Sequence, residues 1–352
     1  MTYYYDQVIY YNKKYKPFPH QLGGVVFLYR SIIRGIGSHL PHNRLTNADL
    51  EKMVDTSDAW ITSRTGISER RIASPGEATS DFATEAARKA MEQAGISAED
   101  IEMVMVATET PDYLFPPVAV LVQHRLGLKN AGVMDIHATC AGFITALQTA
   151  DQYIRSGMYQ NILVIGADTL SRFTDYTDRS TCILFADGAG ALVVSRSETD
   201  DVGIIHTATH ANGEHVQSLL IPSGGSLDPF NPNKEQKTTM YMDGPKIFKL
   251  AVSVMSETAR EVLDKSGYTV DQVNFLIPHQ ANQRIIDAVA KNMDVPPEKV
   301  ISNIKYVGNN SSATIPIAID ANMKAGKIKK GDTLLLVAFG AGLIWGGALI
   351  KI

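Results

Sequence analysis

The sequence predicts an α/β fold, because short apolar runs alternate with segments in which apolar residues recur at helical spacing. One such segment, TSDFATEAARKAMEQAG over 79–95, predicts a helix that Thr79 or Ser80 caps and Gly95 ends. The apolar runs predict buried strands over 103–108, 132–138, 161–167, 190–195, 274–279 and 333–339.

An internal repeat predicts that this fold consists of two related halves. The phrase AARKAMEQAGISAEDIEMVMV (86–106) aligns with TAREVLDKSGYTVDQVNFLIP (258–278), so that Gly95 falls on Gly267, 172 positions later. A weaker match aligns 156–166 with 325–337 at an offset of 169, and this offset places Cys140 on Asn309. Chance resemblance between α/β sequences is the alternative, and two matched phrases weaken it.

The repeat divides the chain into three parts. Residues 1–30 are expected to be an extension outside the main fold, since their tyrosine-rich start lacks the order of a signal peptide. Residues 31–200 are the N-terminal half with the candidate nucleophile, and residues 201–352 are the C-terminal half. We expect the functional residues to lie where the halves meet.

Composition excludes several classes of function. The net charge of −4 and the lack of a basic block give a nucleic-acid partner no electrostatic support. No run approaches the ~20 apolar residues that cross a bilayer, so membrane insertion is not expected. The chain has 2 cysteines and no clustered Cys/His set, which excludes a disulfide framework, predicts no metal site and favours the reducing cytoplasm.

Cys140, in HATCAGF, follows a predicted strand and precedes a helix predicted over 141–156. At a helix N-terminus, free N–H groups and the positive dipole end stabilise a thiolate, which predicts a lowered pKa and a nucleophile. Burial as a small hydrophobic residue is an equally good interpretation of Cys140 alone. Cys182, within the apolar TCILFA, is predicted to be a core residue.

Two polar positions in the C-terminal half are further candidates. His279 ends a predicted strand and precedes the polar QAN turn, where an imidazole can act as an acid or base near neutral pH. Asn309 follows Gly308 in KYVGNNSSATIP and offers an amide donor, although its neighbours also suit a simple turn. The glycine-rich 185–194 and 339–347 match no nucleotide motif and indicate close packing or exposed amides, one of which could serve an oxyanion.

Six ordered motifs give the chain a family resemblance over about residues 32–352. They are LTNADLEKMVDTSDAWITSRTGISERRIA, TCAGF, TDRSTCILFADGAGALV, IPHQAN, GNNSSATIP and FGAGLIWG. With Cys140, His279 and Asn309 among them, the chain resembles the thiolase superfamily and, more closely, the β-ketoacyl-[acyl carrier protein] synthase III family. The resemblance implies a thiolase-like fold, with two duplicated α/β halves packed as a layered αβαβα core.

The resemblance also implies a mechanism, in which no bound cofactor takes part. Cys140 would take the acyl group from acyl-CoA as a thioester, and the backbone amides of Cys140 and Ala341 would form the oxyanion hole. His279 and Asn309 would hold the malonyl thioester oxygen of malonyl-acyl carrier protein while CO2 leaves. The carbanion would then attack the acyl thioester to give a 3-oxoacyl product, the reaction that starts type II fatty-acid synthesis.

The same resemblance implies the binding residues. Six positions would contact CoA and its pantetheine arm: Trp60, Arg64, Arg179, Gly244, Phe248 and Asn282. A packing role for Trp60 is the alternative to stacking on adenine. Lys249, Arg284 and Lys291 would dock the acidic carrier protein, although solvated lysines look the same in sequence. Phe115 would close the acyl pocket across a homodimer interface.

The chain departs from the family pattern at two positions, and rival families fit less well. Asn310 stands where threonine is common, and Ala341 where glycine is common, which matters if the backbone there needs a positive φ. A degradative thiolase would need a second cysteine near AFGAGL, and a hydroxymethylglutaryl-CoA synthase would use a glutamate, for which Glu109 is the nearest candidate. A related acyltransferase of secondary metabolism with another acceptor is the main alternative. A catalytically silent lipid- or CoA-binding relative would have a damaged triad, whereas this one is intact.

Overall fold

The computed structural model describes residues 29–197 and 202–352. The strands in this part of the chain are β1 (Arg30–His39), β2 (Arg44–Thr46), β3 (Glu69–Arg71), β4 (Met103–Ala107), β5 (Gly132–Ile136), β6 (Asn161–Thr169), β7 (Asp187–Ser197), β8 (Gly203–Ala211), β9 (Leu219–Leu220), β10 (Tyr241–Met242), β11 (Phe275–Pro278), β12 (Thr333–Gly340) and β13 (Ile344–Lys351). The α-helices are α1 (Asn47–Leu50), α2 (Asp58–Thr65), α3 (Thr79–Ala94), α4 (Val118–Arg125), α5 (Gly142–Arg155), α6 (Gly244–Ser266), α7 (Gln283–Asn292), α8 (Ile304–Val307) and α9 (Thr314–Lys324). All six predicted strands and the helix over 79–95 are confirmed, but β5 is not buried as predicted, because it lies at the edge of its sheet.

The two main sheets share the order and direction of four strands, and the first sheet has β5 in addition. The first has the order β1-β7-β6-β4-β5. In it β4 runs parallel to β5 and β6, β7 is antiparallel to β6, and β1 is antiparallel to β7. The second has the order β8-β13-β12-β11. In it β11 and β12 are parallel, β13 is antiparallel to β12, and β8 is antiparallel to β13. The predicted relation between the halves is therefore visible in strand order and direction.

The central strands alternate their side chains between two apolar layers. In β6, Ile162 and Val164 pack into the core shared with α5 and α9, whereas Leu163 and Ile165 pack against α3 and α4. In β12, one set of alternate residues packs into the shared core and the other against α6 and α7. Strands buried on both faces are continuous apolar runs in sequence, which is why they were predictable. The layers are helix, sheet, helix, sheet and helix.

The structure corrects the register of the weaker repeat. Strand β11 begins 172 positions after β4 (275 − 103), β12 begins 172 after β6 (333 − 161), and α9 begins 172 after α5 (314 − 142). An offset of 172 places Cys140 on Ser312, so the predicted match with Asn309 at an offset of 169 is wrong. The sequences 156–166 and 325–337 differ in length, and the weaker alignment matches glycines that lie outside the strands.

Two smaller expectations also change, and others lie outside the described residues. Strand β1 begins at Arg30, and Arg196 lies 4.2 Å from the ring centroid of Tyr29, so residues 29 and 30 belong to the fold. The N-cap of α3 is Ala78, whereas Thr79 and Ser80 lie inside the first turn. Residues 1–28 of the expected extension and the expected boundary at 200 lie outside the described residues. In the described chain, no helix combines the length and apolar character needed to span a membrane.

Candidate active site

Cys140 lies in a tight turn, Thr139–Ala141, that joins β5 to α5. Thr139 adopts a φ of 46°, which is uncommon for a residue other than glycine, and two contacts hold it there. Its backbone N donates to Glu109 Oε1 at 2.7 Å, and its Oγ1 donates to the Ala341 carbonyl at 3.3 Å. The turn is thereby fixed between the two halves.

The thiol of Cys140 is held in its protonated form. Cys140 keeps part of its surface exposed, but desolvation by the surrounding protein raises the pKa of its thiol to about 12. The carboxylates of Asp168 and Glu109 act in the same direction, and the hydroxyl of Ser311 opposes them. The predicted lowering of this pKa is wrong, because loss of water around the sulfur outweighs the helix terminus. The proton of the thiol must therefore leave as the sulfur reacts.

His279 follows β11 and is fully buried. Its Nδ1 lies 2.7 Å from Oγ1 of Thr314, and its ring makes an edge contact with Phe339 at 5.9 Å between centroids. Burial lowers its pKa to about 3, so the imidazole is neutral at neutral pH. This site therefore offers one ring N–H donor and no cationic charge.

Asn309 is held by its backbone and by one side-chain atom. Its backbone N donates to the Leu184 carbonyl at 3.0 Å, and its Oδ1 accepts from the backbone N of Ser311 at 2.9 Å. Within residues 29–197 and 202–352, no protein acceptor takes a hydrogen from Nδ2 of Asn309. The amide is thus oriented with its donor end available.

Ser311 links the three candidate catalytic residues. Its turn packs against the turn of Cys140, and its hydroxyl lowers the pKa of the Cys140 thiol. Its backbone N donates to Asn309, and its carbonyl accepts from Thr314, which contacts His279. Ser311 has a φ of 51°, and the turn Ser311–Ala313 precedes α9 as Thr139–Ala141 precedes α5. In sequence Ser311 resembles any turn serine, so its linking role could not be predicted.

Asp168, near the end of β6, accepts hydrogen bonds from residues beside the two turns of this site. Its Oδ1 accepts from the backbone N of Glu109 at 2.8 Å, and its Oδ2 accepts from Ser312 Oγ at 2.9 Å. Burial raises its pKa to about 6. The sequence analysis missed Asp168 because GADT is typical of an ordinary strand end. Only the fold brings Asp168 into contact with Glu109 and Ser312.

Three residues predicted to bind CoA form one cluster. The indole of Trp60 lies between two guanidinium groups, with Cζ of Arg179 at 4.9 Å and Cζ of Arg64 at 5.6 Å from its centroid. Both arginines are exposed and the indole is partly exposed. This cluster suits stacking on a flat ring bearing phosphates better than it suits a core position.

The remaining predicted binding residues lie on α6 and α7. Gly244 begins α6, and Asn282 is the N-cap of α7, where its side chain accepts from the backbone N of Arg284. Arg284 also lies over the ring of Phe248 at 5.4 Å, which joins the two helices. Three exposed basic side chains define a surface that is here called the α6/α7 basic face: Lys249, Arg284 and Lys291.

Phe115 lies apart from the buried site. Phe115 is 84% exposed, and the adjacent Leu114 is 87% exposed. Of the two family departures, Ala341 has no positive φ, and Gly342 takes a φ of 128° instead, so the alanine is not strained. Asn310 is fully buried, and its Nδ2 donates to the Asp187 carbonyl at 2.6 Å, which ties the two halves together. Cys182 is buried, as predicted.

Two related α/β halves in five layers, with a cysteine, a neutral histidine and an asparagine at their junction, define a condensing enzyme of the thiolase type. The family model 3-oxoacyl-[acyl-carrier-protein (ACP)] synthase III matches residues 134–213, and its C-terminal companion matches 263–352. The chain is 50% identical, over 91% of its length and 97% of the relative, to the β-ketoacyl-[acyl-carrier-protein] synthase III of Caldanaerobacter subterraneus. It belongs to the β-ketoacyl-[acyl-carrier-protein] synthase III family.

Solved structures confirm the predicted thiolase-like α/β fold. The 3-oxoacyl-[acyl-carrier-protein] synthase III of Aquifex aeolicus is 46% identical, with a TM-score of 0.85 over 92% of this chain and 100% of that one. The priming β-ketosynthase from the R1128 polyketide biosynthetic pathway is 36% identical, with a TM-score of 0.87 over 94% of this chain and 99% of that one.

Proposed function

We propose that this enzyme starts type II fatty-acid synthesis by condensing an acyl group from acyl-CoA with malonyl-acyl carrier protein. The observation that carries this proposal is that Cys140, His279 and Asn309 meet around the turn of Ser311, which packs against the turn of Cys140, orients Asn309 and bonds to Thr314 beside His279. Each of the three offers a different chemical capacity, and the two-step reaction needs all of them.

In the first step, the sulfur of Cys140 attacks the acyl-CoA carbonyl carbon and the bond from that carbon to the CoA sulfur breaks. The thiol proton ends on the departing CoA. Backbone amides of Cys140 and Ala341 would stabilise the oxyanion, and one such donor is typically worth about 2.7–4 kcal/mol. The hydroxyl of Ser311 favours the thiolate and so favours this step.

In the second step, malonyl-acyl carrier protein loses CO2, and the electron pair of the broken bond forms an enolate. His279 and Nδ2 of Asn309 would donate to the thioester oxygen on which the charge develops. The enolate carbon attacks the acyl group on Cys140 and gives 3-oxoacyl-acyl carrier protein. The carbon–sulfur bond breaks, and the released thiolate of Cys140 takes up a proton from solvent. A neutral imidazole suits this role, since it donates without requiring a buried cation.

The surroundings of the site support the two substrates. The cluster of Trp60 with two arginines suits the adenine and phosphates of CoA. The α6/α7 basic face on a chain of net charge −4 suits an acidic carrier protein. Both substrates are thioesters that bring their own pantetheine arm, so the proposed reaction needs no bound cofactor.

A homodimer is part of this proposal. Strand β5 is the edge of its sheet, and its Asp135 accepts from the backbone N of Val118, shortly after the exposed apolar Leu114 and Phe115. Pairing of two β5 edges would bury these side chains and would bring Phe115 toward the acyl pocket of the second copy.

A cytoplasmic location is also part of this proposal, because the thiol nucleophile must stay reduced.

A second candidate is priming of a secondary-metabolism pathway with another malonyl acceptor, and the likeness to the R1128 priming β-ketosynthase favours it. The two candidates share the chemistry of Cys140 and differ in the carrier.

The test incubates the enzyme with radiolabelled acetyl-CoA and maps the label by peptide mass spectrometry. We expect label on Cys140, none in Cys140→Ala, and full labelling in the matched control Cys182→Ala. Added malonyl-acyl carrier protein should release CO2 and 3-oxoacyl product, whereas His279→Ala should accept the label and release no CO2. Full labelling of Cys140→Ala would overturn the mechanism, and turnover with malonyl-CoA but not with the carrier protein would favour the second candidate.

A further inference from the structure

The proposed role of His279 depends on which ring nitrogen holds its single hydrogen. A neutral imidazole donates from one nitrogen and presents a lone pair at the other. Because Nδ1 contacts Thr314, the nitrogen left for the enolate oxygen is Nε2. If Nε2 presented a lone pair, it would repel that oxygen, so the reaction requires the hydrogen on Nε2.

Thr314 is the residue that decides between these two forms of His279. Its Oγ1 lies 2.7 Å from Nδ1 of His279 and 3.0 Å from the carbonyl of Ser311, and it has one hydrogen for two acceptors. If that hydrogen goes to Ser311, Nδ1 must carry the ring hydrogen and Nε2 is bare. If it goes to Nδ1, the ring hydrogen stays on Nε2.

The contacts favour the second arrangement. The carbonyl of Ser311 already accepts the backbone N–H of Thr314, so it is satisfied without the hydroxyl. Nδ1 of His279 has no other hydrogen-bond partner among the described residues, and both side chains are fully buried. With the carbonyl of Ser311 already paired, the hydroxyl hydrogen goes to Nδ1, the nearer of the two acceptors at 2.7 Å against 3.0 Å.

We propose that Thr314 is a positioning residue that donates its hydroxyl hydrogen to Nδ1 of His279 and so keeps the ring hydrogen on Nε2 for the decarboxylation step. Thr314 is the first residue of α9, and its Cβ is fixed by the turn through Ser311. The assignment extends the proposed function, on which it rests. It also predicts that Thr314 serves the second step and leaves acylation of Cys140 unaffected.

The experiment has a spectroscopic and a kinetic part, both on the full chain. Nitrogen-15 NMR of the histidine-labelled enzyme reads the protonated ring nitrogen directly, and His279→Ala assigns the signals by their loss. Single-turnover assays measure the acylation of Cys140 by acetyl-CoA and, separately, CO2 release from malonyl-acyl carrier protein. Thr314→Val removes the hydroxyl with little change of shape, and Thr314→Ser retains it.

We expect a protonated Nε2 on His279 in the wild type and in Thr314→Ser. In Thr314→Val, CO2 release should fall by about tenfold to a hundredfold, below the loss of about 10²–10³-fold that follows removal of a whole oxyanion donor. Acylation should stay near the wild-type rate, and Thr314→Ser should restore CO2 release. A protonated Nδ1 in the wild type, or equal CO2 release by the valine and serine variants, would overturn the inference. CO2 release by His279→Ala at the wild-type rate would instead overturn the proposed function.

Discussion

Replacing Gly340 with alanine should slow the acylation of Cys140 while the sheets stay folded. A Cβ at this position would lie 2.7 Å from the backbone N of Cys140 and 1.8 Å from Oγ1 of Thr139. The threonine side chain can rotate away, but the backbone N cannot. Ordinary contact begins at 3.4 Å, so the turn that holds Cys140 must move by about 0.7 Å (3.4 − 2.7).

This displacement sets the expected magnitudes. A misplacement of about 1 Å can cost about 10²-fold in rate, so acylation of Cys140 should slow by tens of fold to about a hundredfold. Overpacking at this contact should lower the free energy of unfolding by about 1–3 kcal/mol. Single-turnover transfer from acetyl-CoA and urea titration measure the two effects.

Gly213→Ala is the matched control, because its new Cβ would have no heavy atom within 4 Å and its φ is not positive. This control should change the free energy of unfolding by less than about 0.5 kcal/mol and leave acylation unchanged. Wild-type acylation by Gly340→Ala would show that the close approach of β12 to the turn of Cys140 does not position the sulfur.

Three other side chains give predictions with separate readouts. The pKa of His279 is about 3 in the fold against 6.5 in the unfolded chain, so below pH 6.5 the unfolded chain binds a proton that the folded chain does not. The free energy of unfolding therefore decreases as the pH decreases. Between about pH 7.5 and about pH 5, urea titrations should show the wild type losing about 2 kcal/mol more than His279→Asn, and parallel curves would contradict this. Trp60→Ala should raise KM for acyl-CoA about tenfold with KM for malonyl-acyl carrier protein unchanged, and equal effects on both would refute a CoA contact. Arg284→Glu should raise KM for the carrier protein about tenfold at low salt without slowing acylation, and an effect independent of salt would argue against docking by charge.

The fold was predictable because its physical causes are local. The residues 161–167 and 333–339 are uninterrupted apolar runs, and the structure buries both faces of each strand between helices. Strand β13 was not predicted, since its IWGGALIK contains the glycines that allow close packing on β8 and weaken the strand signal. The short strands β2 and β3 carry charged residues, and their pairing depends on contacts distant in sequence.

The candidate site was predictable only in part. Cys140 and His279 follow strands, so their placement at the junction follows from topology, whereas Asn309 lies between α8 and the turn that precedes α9. The pKa of the Cys140 thiol could not be predicted, because it depends on burial and on two carboxylates, one of which comes from another strand. Thr314 could not be predicted either, since its contact with His279 spans 35 residues and depends on the packing of α9 beside β11.

The two turns at the junction explain how one duplicated element came to perform two tasks. Thr139 and Ser311 occupy equivalent positions in the halves and share the left-handed backbone, with φ values of 46° and 51°. The residue that follows is Cys140 in one turn and Ser312 in the other. Ser312 donates its hydroxyl to Asp168, so the second turn is anchored to the first half and supplies no nucleophile. Because its position is fixed, the second turn can orient Asn309 and, through Thr314, His279. The asymmetry between a reacting turn and an orienting turn therefore follows from a single difference, a thiol in one half and an anchored hydroxyl in the other.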